Sequence, residues 1–121
     1  MIAYKHEELR YEFERMIDPK LRELMDWIVV WVEEHFHRDV IVTSVARTGD
    51  PASLHCTRPV RAVDFRSTNF SEDQANELLS ATNRAWLYDP SRLGRFKCLI
   101  LHDVGQGEHF HAQVHRNTVF A

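Results

Sequence analysis

Residues 108–115 read Glu-His-Phe-His-Ala-Gln-Val-His, alternating so that Phe110, Ala112 and Val114 fall on one side and His109, His111, Gln113 and His115 on the other. An extended strand is the conformation that separates these two sets. The chain must therefore build a sheet whose one face is buried and whose other face carries imidazoles, and something apolar must cover the first face.

Helices supply the cover. Leu9, Phe13, Met16 and Ile17 recur at helical spacing among Glu and Arg and predict a short amphipathic helix that breaks at Asp18-Pro19. Asp18 can cap, and Pro19 can take the first position of a second helix carrying Leu21, Leu24, Met25, Ile28, Trp31, Val32 and Phe36, ending near His37. Ser71-Glu72-Asp73-Gln74 has the form of a capping box and opens a helix with Ala75, Leu78, Leu79 and Trp86, which Tyr88-Asp89-Pro90-Ser91 ends. The β-branched run Val40–Val45 predicts a strand, followed by turn chemistry in Arg-Thr-Gly-Asp-Pro. Val60–Phe65 predicts another, with Val63 and Phe65 facing the core while Ala62 and Asp64 point away. Phe96–His102 is an apolar run of strand length, and Val104-Gly105-Gln106-Gly107 gives a flexible turn into the alternating strand.

The fold class expected is α+β: one domain over residues 1–121, a small, mainly antiparallel sheet with helices packed on one face. Residues 1–18 are the only candidate for a separable N-terminal helical arm. The length agrees, because a chain of 121 residues and 14.3 kDa buries roughly two-thirds of its unfolded surface in one core. With 44% hydrophobic residues, four Gly and four Pro, disorder, collagen and repeat arrays are excluded.

Charge narrows the partners. Fifteen basic against eighteen acidic residues give a net charge of −3, which is no footprint for general nucleic-acid binding. The basic residues are mostly Arg, and Arg47, Arg58, Arg61 and Arg66 are close in sequence, which favours bidentate recognition of carboxylate or phosphate. Cys56 and Cys98 make neither a disulfide framework nor a four-cysteine zinc site. The first residues contain no apolar h-region and no run approaches eighteen apolar residues, so a soluble protein, cytoplasmic at synthesis and without a membrane partner, is expected.

Eight histidines are the chemical signal. His35 and His37 sit near a helix end, where a cation is favoured on structural grounds. The His109-x-His111 pair differs, because a strand places two such imidazoles on one face about 6 to 7 Å apart, near enough to approach one metal ion. A hydrolytic zinc site wants three ligands from His, Asp or Glu with a position open for water. The other acid and imidazole in suitable places are His55, in the loop Gly49–Pro59, and Asp64; Cys56 ranks below both. His102-Asp103 reads as a strand end that can also supply an orienting pair.

These residues resemble a known set. Ser53-Leu54-His55, Ala62-Val63-Asp64 and Glu108-His109-Phe110-His111 are similar to the three pieces of the S-x-H, A-x-D, E-x-x-H signature of LAS-type zinc peptidases. That superfamily includes D-Ala-D-Ala carboxypeptidases and dipeptidases, phage endolysins that cut L-alanyl-D-glutamate bonds, and the hedgehog signalling domain. The resemblance spans Asp18 to Val114 in order and implies a hedgehog-like fold in a short phage- or prophage-type member. It implies His55, Asp64 and His111 as ligands of one Zn2+ per chain, with Glu108 as the general base. It also implies that His109 assists catalysis, that Arg47 polarises the scissile carbonyl or holds a substrate carboxylate, and that Ser53 hydrogen-bonds substrate. The partner expected is a peptidoglycan stem peptide, met after lysis or by a phage route, with a monomer favoured. The sequence departs from the family pattern in three places: His55 and Asp64 are nine apart, so the loop must bulge by two residues; Val60 stands where Gly is usual; and Phe110 replaces the Trp often found beside the last ligand. Glu108 and His111 are three apart and face opposite ways on a regular strand, so the preceding Gly105-Gln106-Gly107 is expected to twist or bulge. Two further readings remain: an inactive metal-binding module of the same fold, and an unrelated zinc hydrolase that uses both His109 and His111 as ligands.

Overall fold

A computed structural model of the protein describes residues 1–103 and 107–121. In chain order the elements are β1 (Ile2–Tyr4), α1 (Glu7–Met16), α2 (Pro19–Phe36), β2 (Val40–Ser44), β3 (Ala62–Arg66), α3 (Glu72–Ala85), β4 (Trp86–Leu87), β5 (Leu99–Asp103), β6 (Glu108–Gln113) and β7 (Val119–Phe120). Five strands form the main sheet in the order β1-β2-β3-β6-β5, antiparallel except that β1 runs parallel to β2; β4 and β7 pair separately. The architecture is α+β with a mostly antiparallel sheet. The expected turn residues Val104, Gly105 and Gln106 lie outside the described residues.

Local signals act where the sequence places them. The Asp18 carboxylate accepts from Lys20 N at 2.8 Å with Pro19 at the first helical position, and His37 closes α2 in the left-handed conformation at φ 53°. Ser71 and Gln74 cap each other reciprocally at the start of α3. The helix stops at Ala85, so Trp86 sits in β4 rather than on a helical stripe.

The core joins Leu9 and Phe13 of α1, Leu21, Leu24, Met25, Ile28 and Val32 of α2, and Ala75 and Leu78 of α3 to Val40, Val42, Val63, Phe65, Phe110 and Ala112 of the sheet. Each large aliphatic residue buried there contributes about 1.5–3 kcal/mol. Residues 1–18 pack against this body. Strand β1 pairs with β2, Tyr4 packs edge-on against Phe13, and Glu12 Oε1 accepts from Ala46 N at 2.9 Å. Three residues are too short a run to show as a strand in the sequence; their pairing comes from β2, far along the chain.

Both cysteines are free thiols. Burial pushes the Cys98 thiol up to about 12, opposed only by a hydrogen bond with Thr118, whereas Cys56 is half-buried. A neutral buried thiol is unreactive. Titration with a thiol-reactive chromophore at pH 8 is therefore expected to count one fast thiol in the native protein, Cys56, and two in denaturant; two fast native thiols would contradict the packing around Cys98.

No helix among the described residues is long and apolar enough to cross a membrane.

Candidate metal centre

Asp64 is the hub. It lies at the middle of β3, between Ser44 of β2 and His111 of β6, on the face turned away from the helices. Alternation in β3 sends Val63 and Phe65 to the core, yet both faces of this central strand are covered and Asp64 is only 3% exposed. Its environment decides its state. Burial alone would raise the carboxyl pKa, but hydrogen bonds with His111 and His55, and the charge these rings carry when protonated, outweigh it and hold Asp64 well below the usual carboxylate range.

His55 arrives from the loop between β2 and β3. It sits in a single 3-10 turn, Leu54–Cys56, whose start Ser53 caps by accepting from His55 N at 3.2 Å. The strand-flanking segments hold this loop, with Arg47 N donating to His55 O and Arg61 N to Leu54 O. Arg58 adds bonds to the carbonyls of His55, Thr57 and Arg47. The loop thus takes up the nine-residue interval, and His55 Nε2 still comes to 3.1 Å from Asp64 Oδ1.

The tautomers follow from the outer hydrogen bonds. His55 Nδ1 lies 2.7 Å from Val45 O, and a carbonyl only accepts, so Nδ1 carries the proton. Gln113 Nε2 donates to Lys97 O at 2.8 Å, which turns Gln113 Oε1 toward His111 Nε2 at 3.1 Å. The proton of His111 is therefore on Nε2. In the neutral rings, His55 Nε2 and His111 Nδ1 are bare, and they stand 3.1 and 2.9 Å from one carboxylate oxygen, Asp64 Oδ1. Three acceptors turned on one point repel unless positive charge lies among them, either as protons on the rings or as a metal ion. The ligand atoms of His55, Asp64 and His111 all lie within 4.8 Å of one another, so this group can hold a metal ion.

The other carboxylate oxygen has different company. Arg47 Nη2 donates to Asp64 Oδ2 at 2.6 Å, and its Nε donates to Ser44 Oγ at 2.9 Å. A bulge makes this possible: Val42 pairs with Phe65 but Ser44 pairs with Asp64, so β2 carries one extra residue and its end turns toward the site. His109 Nε2 is 3.5 Å from the same Oδ2 and 3.0 Å from His102 Nε2. Asp64, His102 and His109 form a second group with ligand atoms within 4.8 Å. His102, read above as a strand end that can also orient a partner, joins the site because the β5–β6 register places it opposite His109. Burial, and then the neighbouring His111 and His109, pull its pKa below the ordinary imidazole value.

Other expectations fall differently. The β5–β6 register is unbroken from Glu108 and the β3–β6 register from His109, so no bulge falls within the described strand, while Gly105 and Gln106, where the twist is expected, lie outside the described residues. Glu108 keeps the phase of Phe110 and Ala112; it is exposed at the end of the sheet, where it lines a cleft of about 530 Å³ together with Asp64, Arg47 and His109. His115 does not share the histidine face, since β6 ends at Gln113. Its Nδ1 accepts from Asn117 N and its ring packs near Tyr88. Ser53 is occupied in capping the turn of His55. Compared with known proteins, the chain matches no family model, no curated protein and no solved structure.

Proposed function

We propose that the chain is a zinc-dependent peptidase of the LAS type, with a hedgehog-like fold, that hydrolyses a peptide bond in peptidoglycan stem peptides. The observation that supports this most is the convergence of His55, Asp64 and His111 from three separated segments, each imidazole locked in the tautomer that leaves its inward nitrogen bare. Two neutral imidazoles and one carboxylate are a donor set of open zinc sites, and the two imidazole–carboxylate separations, 3.1 and 2.9 Å, approach the edge of about 3.3 Å that metal–ligand distances near 2.0–2.1 Å require.

His55, Asp64 and His111 would hold one Zn2+, which supplies a water acidified to near pH 7 and a Lewis acid for the scissile carbonyl. Glu108, at the rim of the cleft, takes the proton of the attacking water and returns it to the leaving amine. Arg47 keeps Asp64 ionised and oriented through Oδ2 and presents the rest of its guanidinium to the cleft. Ser53 retains its hydroxyl proton for substrate while its oxygen serves His55 N. His109 stands against Asp64 Oδ2, where it can move a proton near the reacting atoms.

Metal analysis of the purified protein and digestion of purified peptidoglycan, with released peptides read by mass spectrometry, test the proposal. One equivalent of zinc and a cleaved stem peptide are expected. Glu108→Ala should keep the zinc and lower turnover by about 10²- to 10⁴-fold, the usual worth of a general base; unchanged turnover removes Glu108 from that role. A second reading, a metal-binding module without hydrolytic activity, is favoured by the phase of Glu108 on β6 and by the commitment of Arg47 to Asp64. Zinc without cleavage would support it.

A further inference from the structure

The cleft beside Asp64 is rimmed by three cations, Lys5, Arg47 and Arg66, which follow β1, follow β2 and end β3. These strands are neighbours in the sheet, and the three cations line one cleft. All three reach the histidine side. Arg66 shares the phase of Asp64 on β3 and pairs with His109. Lys5 alternates with Tyr4, which packs on Phe13 in the core, and its N donates to Val42 O, prolonging the β1–β2 ladder by one residue. Arg47 is already engaged with Asp64 and Ser44, whereas Lys5 and Arg66 form no ion pair among the described residues. Of the acidic side chains that line the cleft, Asp64 is used by Arg47 and the imidazoles, which leaves Glu108 alone against two free cations.

We infer that Lys5 and Arg66 form a carboxylate subsite that fixes a free carboxylate of the peptide beside the scissile bond. This deepens the peptidase reading and rests on it for the nature of the ligand. The carboxylate can be the terminal one of the peptide or a side chain's, and the two are separable by probe.

The test is a titration of isotope-labelled protein, in the Glu108→Ala background to prevent turnover, followed by amide chemical shifts. D-Ala-D-Ala is compared with its C-terminal amide, and L-Ala-D-Glu amide with L-Ala-D-Gln amide. In at least one pair the acid should bind about tenfold more tightly, the worth of one charge-assisted contact. The shifts should centre on Thr43, Arg66 and His109. Lys5→Gln with Arg66→Gln, which keeps both stems, should reduce that ratio to near one. Equal binding of acid and amide in both pairs, no binding of any probe, or a ratio that survives the double substitution overturns the subsite. Equal binding beside retained zinc and cleavage would remove the subsite alone. Selective binding by a protein that retains no zinc would keep the subsite and remove the peptidase.

Discussion

Asp64→Asn is expected to strip the protein of metal. Substitutions of groups that merely orient a ligand cost about 10- to 100-fold in affinity, and a carboxylate that is itself a ligand should cost more. The amide keeps the shape but loses the charge that faces two bare imidazole nitrogens and Arg47, and one of its ends is a donor where acceptor oxygens now meet both. Competition against a chromophoric chelator should place zinc affinity more than about 100-fold below wild type, with His55→Ala and His111→Ala behaving alike. His109→Ala should retain the ion. Parallel loss at His109 and His111 would instead favour the reading in which both are ligands of one ion, and stoichiometric zinc in Asp64→Asn would dispose of the centre.

The same substitution has a signature without metal. The Asp64 carboxyl titrates lower in the fold than in the unfolded chain, so its contribution to stability is present above the unfolded value of about 3.9 and is lost as pH falls below it. Urea midpoints of wild type and Asp64→Asn, both freed of metal by chelator, should differ most near pH 7 and converge on acidification below about pH 4. A gap that widens in acid would contradict the sign.

Legibility in the sequence followed the range of the interaction. Strand β6 and helix α2 announce themselves because their periods are written in consecutive residues, and the caps at Asp18 and Ser71 are local too. His55, Asp64 and His111 could be nominated as candidates from residue type and strand phase. Their convergence was implied only by the resemblance and not by any local pattern, since it depends on the β3–β6 register and on a loop that Arg58 and the Leu54 carbonyl fold back. His102 was within reach: counting outward from the turn pairs Asp103 with Glu108 and His102 with His109. Lys5 was not, because its place follows from the parallel pairing of a three-residue strand with a partner nearly forty positions away.

Phe110→Ala should be the most damaging single change in the core, and its effect ought to be partly reversible by zinc. Phe110 is fully buried between the two histidines of β6, stacks on Phe65 at 4.9 Å and meets the edge of Phe70 at 5.8 Å. Truncating such a ring removes its transfer energy and leaves a cavity, together about 3–5 kcal/mol. That is a large share of the 5–15 kcal/mol that holds a domain of this kind together. Differential scanning calorimetry of metal-free protein should show a fall in Tm of roughly 10–20 °C. The candidate centre feels the same change, since Phe65 lies beside Asp64 on β3 and Phe110 lies between His109 and His111 on β6, so the stacked pair fixes the spacing of the strands that carry Asp64 and His111. A metal ion that binds only the folded chain stabilises it by mass action, by about 2.7 kcal/mol at a hundredfold excess over Kd. Saturating zinc should accordingly raise the Tm of Phe110→Ala, while the same zinc leaves Phe110→Ala with Asp64→Asn unmoved. A loss below about 1 kcal/mol would mean that the ring is not packed as described, and zinc rescue of the double variant would mean that the ion binds somewhere other than at Asp64.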